Sequence, residues 1–242
     1  MKLMIIRHAD PDYSIDSLTE KGWREAELLS DRIFNIEVKD FYVSPLGRAK
    51  DTASLTLNKI KRTAEVLPWL REFHAPIIDP GTGKERITWD WLPESWTAVD
   101  EFYDKHQWSQ VPVMQEGNVL EEARFVYNGL DKLLKEHGYE REGNRYRAVR
   151  PNSDTIVLFC HFGVECVMLG HLLGISPMVL WHGFCAAPSS VTTLVTEERR
   201  KGIAAFRMSS FGDVAHLYAA GESPAFAARF CETYDNMEER HD

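Results

Sequence analysis

Cysteine is scarce. The 242-residue chain has four, Cys160, Cys166, Cys185 and Cys231, and no two are spaced C-x-x-C. That pattern excludes a disulfide scaffold and a paired-cysteine zinc site, so these residues are expected to be reduced and structural. Long apolar runs are also missing; a membrane span needs roughly 18 apolar residues. At the N-terminus the apolar stretch Leu3–Ile6 stops at Arg7, too short for a secretion signal, so it reads as a first strand and the cytoplasm is the expected compartment. There is no excess of cations: 28 Lys and Arg stand against 37 Asp and Glu, a net charge of −9. Without a basic face, neither nucleic acid nor an anionic membrane is an expected partner, and an anionic substrate would need a local cluster of Arg and His. The sequence contains no G-x-x-x-x-G-K-[ST] loop, no G-x-S-x-G elbow and no H-x-x-x-H pair, which removes support for nucleotide-triphosphate hydrolysis, serine hydrolysis and zinc chemistry.

What is present is ordinary globular composition, 44% hydrophobic and 27% charged, at a length that suits a single domain over residues 1–242. Lys2–Ile6 reads as a buried strand, and Thr19 with Glu20–Asn35 as an amphipathic helix after a loop at Ala9–Leu18. Phe41–Val43 is a second strand. Ser44-Pro45 follows as a helix start, with Ser as cap and Pro in the first turn, and the helix runs to about Lys61. Ala64–Leu67 is another short strand. This β-α-β-α-β rhythm predicts an α/β three-layer sandwich, a mostly parallel central sheet flanked by helices. Between about Phe73 and Asn118 the rhythm breaks into a stretch rich in Pro and Gly. It holds Trp89, Trp91, Trp96 and Trp108, four of the seven tryptophans, and reads as a capping insertion with one helix near Ser95–Gln107. Its tryptophans are expected mainly to pack the cap onto the body. Val119–His137 is a long helix, Thr155–Cys160 the most apolar strand, and Gly163–Leu173 a helix closed by Gly174. Val191–Thr196 and Ile203–Met208 read as a hairpin at a sheet edge, which could support a homodimer. The tail from Ser223 reads as helical.

Three strand ends carry chemistry. Arg7-His8 follows the first strand. Arg48 lies in the first turn of the helix after Phe41–Val43, where a cation opposes the helix dipole and so points to an anion. His161, in Cys160-His161-Phe162-Gly163, follows the most apolar strand, Thr155–Cys160. In a parallel sheet such ends converge on one crevice, and two Arg with two His in a chain of net negative charge suit a phosphoryl group.

These residues resemble the histidine phosphatase superfamily, the phosphoglycerate-mutase-like group. The resemblance runs through Arg7-His8-Ala9, Leu18-Thr19 with Gly22, Ser44-Pro45-Leu46-Gly47-Arg48-Ala49 with Thr52-Ala53, Leu70-Arg71-Glu72, Cys160-His161-Phe162-Gly163, Ser190-Val191-Thr192 and Asp213-Val214-Ala215-His216-Leu217. It implies that His8 attacks phosphorus and carries a transient phosphohistidine. It implies further that Arg7, Arg48 and His161 hold the phosphoryl oxygens, and that Glu72 is the general acid, with Asp10 and Asp12 as competitors for that role. It also implies that no metal or other cofactor is needed. His216 is expected to act behind the site. The chain departs from the family pattern at Ala9, at Phe162 (placed with the phosphate-binding set, where many members have glycine) and across Asp10–Ser14. The function implied is a phosphatase for small-molecule phosphomonoesters. A phosphoglycerate mutase-type phosphotransferase and a non-catalytic phosphate-binding module are the alternatives.

Overall fold

A computed structural model describes residues 1–225. In chain order the elements begin with β1 (Lys2–Arg7), a short hairpin β2 (Pro11–Asp12) and β3 (Ser17–Leu18), α1 (Glu20–Phe34), β4 (Asp40–Val43), α2 (Gly47–Ile60) and β5 (Glu65–Val66). A 3-10 turn at Pro68–Leu70 leads into β6 (Pro76–Ile78), β7 (Glu85–Ile87), α3 (Pro93–Trp96), α4 (Pro112–Glu116) and α5 (Val119–Glu136). Then come β8 (Tyr139–Glu142), β9 (Arg145–Ala148), β10 (Thr155–Cys160), α6 (Phe162–Leu173), α7 (Pro177–Gly183), β11 (Val191–Arg200), β12 (Ile203–Asp213) and α8 (Ala215–Ala219).

Eight strands form one sheet in the order β5-β4-β10-β1-β11-β12-β9-β8. The first four are parallel to one another, and from β1 outward through β8 every pairing is antiparallel. The fold is therefore α/β with a mixed sheet. Its parallel half is the part the β-α-β rhythm announces, and its antiparallel half adds β8 and β9, which carry no strong periodic signal. The hairpin β11–β12 is not the edge expected of it. β1 lies on one side, β9 continues the sheet on the other through Ile203 and Ala204, and β8 is the outermost strand.

The inner parallel strands β1 and β10, with most of β4, are buried on both faces, which is why they read as apolar runs. Alternation still sorts their side chains. Met4, Ile6, Val157 and Phe159 pack with Leu29 of α1 and Ala53 of α2. Leu3, Ile5, Ile156 and Leu158 pack on the opposite side with α5 and α6, including Leu130 and Val167. These two cores are the layers of the sandwich.

The insertion contains no helix at Ser95–Gln107. Proline at the first helical position starts α3 and α4, but each ends within five residues, and a 3-10 turn at Asp100–Tyr103 lies between them. The hairpin β6–β7 precedes them. The insertion's tryptophans divide. Trp91 and Trp108 are buried in the core, edge-on to Phe102 and Trp181 respectively. Trp96 stacks on His182, and Trp89 faces the site described below. Cys160 and Cys166 are buried thiols. Cys231 and most of the tail expected to be helical lie outside the described residues. Among the described residues no helix is long and apolar enough to cross a membrane.

Candidate active site

Sheet register builds the site. Arg7 of β1 is the direct partner of Cys160 of β10, so the next residues, His8 and His161, leave adjacent parallel strands side by side. The His8 backbone N–H donates to the Cys160 carbonyl at 2.9 Å, and the Ser44 N–H to the Phe159 carbonyl at 2.9 Å. Three neighbouring carboxyl ends therefore deliver His8, Ser44 and His161 to one place. The two imidazoles lie with ring centroids 5.1 Å apart, tilted at 57°. Both are buried, at 2% and 0% exposure.

Each ring is held by one nitrogen. His8 Nδ1 lies 2.7 Å from the Ala9 carbonyl oxygen. A carbonyl can only accept, so Nδ1 carries the proton and Nε2 keeps its lone pair. His161 Nε2 lies 2.7 Å from Ser44 Oγ, while its Nδ1 is buried with no hydrogen-bond partner. Burial first, then the charges of Arg7 and Arg48, hold His8 well below the usual imidazole range. Burial first, then His8, Arg48 and Arg7, does the same for His161. Both rings are neutral near pH 7.

The two arginines come from different elements. Arg7 is 3% exposed, donates through Nη1 to the Ala186 carbonyl and sits over the Phe162 ring at 5.8 Å. Arg48, in the first turn of α2, donates through Nη1 to Asp16 at 2.6 Å and lies over the Tyr13 ring at 5.4 Å. Its Nε is buried without a partner. Ser44 is not the cap of this helix. α2 starts at Gly47, whose N–H donates to Asp16 Oδ2 at 2.6 Å, so a carboxylate from the β2–β3 hairpin both caps the helix and aligns Arg48. Ser44 is thereby left for His161.

Glu72 reaches the site from the loop after β5. Its carboxylate lies at the N-terminus of α6, the helix that begins directly after His161. It accepts from the Val164 N–H at 3.0 Å, the Gly163 N–H at 3.4 Å and its neighbour Phe73 at 2.7 Å. Burial nevertheless outweighs these bonds and raises its pKa above the ordinary carboxylate value. A Cβ on Gly163 would stand 2.7 Å from Glu72 Oε1 and 2.8 Å from Trp89 Nε1, so only glycine lets the carboxylate dock there. The competitors are engaged elsewhere. Asp10 accepts from the Thr19 hydroxyl, and Asp12 from Ser14 on an exposed hairpin. Phe162 opens α6 and is buried under Arg7.

The family model of the histidine phosphatase superfamily (branch 1) matches residues 3–208. The chain belongs to this superfamily. A 2,3-bisphosphoglycerate-dependent phosphoglycerate mutase of Thermoplasma acidophilum is 34% identical over 97 residues, which cover 36% of this chain and 45% of the mutase. The match thus spans less than half the length of that curated relative. Among solved structures, a phosphoserine phosphatase of Entamoeba histolytica is similar over 89% of this chain and 98% of its own, with a TM-score of 0.61 and 18% identity. A mycobacterial glucosyl-3-phosphoglycerate phosphatase is similar over 87% and 98%, with a TM-score of 0.59 and 17% identity.

Around the two histidines stand further polar residues: Thr52, part of the resemblance but given no role there, and Glu25 and Glu165, which sequence reading did not single out. Thr52 Oγ1 accepts from the Ala9 N–H at 3.0 Å. Glu25, buried on α1, accepts from the Asp10 and Ala225 N–H groups, and burial raises it to about 7. Glu165, 1% exposed on α6 one turn beyond His161, is raised to about 7 by burial, with Thr192 and Arg7 opposing the shift. A single acid in the apolar run Phe162–Leu173 was the available signal. His216 stands behind the site as expected. Its Nε2 lies 3.1 Å from Ser189 Oγ, and the Ser189 N–H donates to the His8 carbonyl. Burial and Arg32 lower His216 to about 4.

Proposed function

We propose that the protein is a phosphomonoester phosphatase that works through a phosphohistidine on His8. The observation that carries this reading is the pair of buried imidazoles set side by side, each held by one nitrogen. His8 Nδ1–H is tied to a carbonyl, which leaves the Nε2 lone pair for nucleophilic attack, with the His161 ring at its side and the charges of Arg7 and Arg48 acting on it. The lone pair of Nε2 attacks phosphorus, the ester P–O bond breaks, and the leaving oxygen takes the proton of Glu72. Water then attacks the phosphohistidine, giving its proton to Glu72, and the P–N bond breaks to release phosphate and regenerate His8. Arg7, Arg48 and the N–H of His161 Nδ1 hold the phosphoryl oxygens, with Ser44 donating to Nε2 and the start of α6 at Phe162 lending its dipole. The positive charge is supplied by fixed side chains, so the route uses no metal.

The partial likeness to a phosphoglycerate mutase keeps a second reading open, in which the phosphoryl group returns to a bound hydroxyl instead of going to water. One assay set separates the two. The purified protein should release phosphate from p-nitrophenyl phosphate, unaffected by EDTA, and His8→Ala should abolish release. With 3-phosphoglycerate, isomer exchange faster than phosphate release would establish the mutase. No release from any phosphomonoester would leave only a binding module.

A further inference from the structure

Against the Arg48 and Glu72 side of the site lies a cavity of about 360 Å³. It shares Arg48 and Glu72 with the proposed catalytic set, and its other walls include Leu46, Phe73, Ile87 and Trp89. Resting on the proposed function, we infer that this cavity receives the leaving group and selects aryl or short apolar alcohols over polyhydroxylated ones.

The placement follows from chemistry. The leaving oxygen must lie between phosphorus, held at Arg48, and the proton on Glu72, so the carbon skeleton attached to it extends into the space both residues line. The character of that space follows from its walls. Trp89 is held by its Nε1, which donates to the Phe73 carbonyl at 3.0 Å and so spends its one donor on the protein. Thr88 bonds the Ala75 carbonyl, and Ile87 pairs with Pro76 across the β6–β7 hairpin, so the insertion's wall is tied down on both sides of the indole. Gly163 admits Trp89 and Glu72 together against α6. Arg71 also lines the cavity, but its guanidinium is engaged by Glu122 at 2.7 Å and lies over the Phe125 ring. His74, at the same rim, is exposed.

A polyol entering here gives up water for methyl and ring faces. The cost of burying hydroxyls without partners, set against the gain from burying CH₂ and aryl surface, favours the apolar alcohol by roughly ten-fold or more in kcat/KM. The experiment compares benzyl phosphate with glucose 6-phosphate, both esters of primary alcohols, at one pH. Wild type should prefer benzyl phosphate at least ten-fold. Trp89→Ala should reduce that ratio several-fold. So should Ile87→Ser, which leaves the Trp89 to Phe73 bond in place. A wild-type ratio at or below one, or a ratio unmoved by both substitutions, overturns the inference while leaving the phosphatase reading intact. No turnover of either ester or of p-nitrophenyl phosphate overturns the phosphatase reading, and the cavity's role with it.

Discussion

The two halves of the sheet divide the labour unequally. In the parallel half, β5-β4-β10-β1, the carboxyl ends and the segments that follow them deliver Arg7, His8, Ser44, Arg48, Glu72 and His161. In the antiparallel half, β11-β12-β9-β8, only the Ser189–Ser190 entry to β11 and the His216 segment after β12 reach the site, from behind, and the strands carry surface ion pairs such as Arg207–Glu197 and Arg147–Glu140. Both halves are hydrogen-bonded sheet, and only direction differs. Parallel strands all end on the same side, so consecutive ends of β1, β10 and β4 pool their polar residues, whereas antiparallel ends alternate and cannot.

The largest effect that would sharpen this contrast is at Arg48. Arg48→Lys keeps the charge but loses the fork, and kcat/KM for phosphomonoesters should drop roughly 10²–10³-fold; an unchanged value would remove Arg48 from the site. Gly163→Ala should come next. A methyl at 2.7 Å from Glu72 Oε1 must displace the acid, and turnover of poor leaving groups should fall roughly 10–10²-fold, with p-nitrophenyl phosphate less affected. Equal loss for good and poor leaving groups would separate Glu72 from proton donation.

The buried Glu165 gives a smaller, pH-dependent effect on stability. Its folded pKa of about 7 lies above the ordinary value of 4.5. The folded state therefore holds a proton that the unfolded state has released between these values, and stability is lost as pH rises from 4.5 through 7. Glu165→Gln removes that loss. Its advantage over wild type in chemical denaturation should grow by about 2–3 kcal/mol between pH 4.5 and pH 8. A difference that is flat with pH would contradict the burial argument. In the antiparallel half, Arg207→Ala breaks only an exposed pair. It should move Tm by no more than about 2 °C and leave turnover unchanged.

Much of this was legible in the sequence because parallel strands announce themselves. Buried on both faces, Lys2–Ile6 and Thr155–Cys160 appear as continuous apolar runs, and the polar pairs that end them mark the site. What was hidden depends on contacts far apart in sequence. Asp16 caps α2 across 31 positions, so Ser44, a good local cap, proved to be the partner of His161 instead. The insertion misled for a related reason. Its apolar residues, Trp108 and Phe73 among them, serve a shared core with Trp181 of α7, not a helix of their own, so no helical period predicts where they go. β8 and β9 are held by their neighbours, Tyr146 packing edge-on to Phe206, and four-residue strands with alternating charge carry little signal alone.

The pH dependence of turnover follows from the same burial. With His8 held below the usual imidazole range, its nucleophilic form persists into mildly acidic solution, while Glu72, raised by burial, loses its proton only above the ordinary carboxylate range. Activity should therefore persist on the acid side of the ordinary imidazole range and decline as Glu72 ionises, which a pH profile of kcat/KM would read.

The central claim is a covalent step at one nitrogen. Rapid quench of the enzyme in alkali during turnover of a phosphorus-labelled ester, followed by peptide mapping, should find acid-labile phosphoryl on the peptide carrying His8, and none in His8→Ala. Turnover with the label on another residue, or with no labelled peptide when phosphohistidine standards survive the same quench, would contradict it.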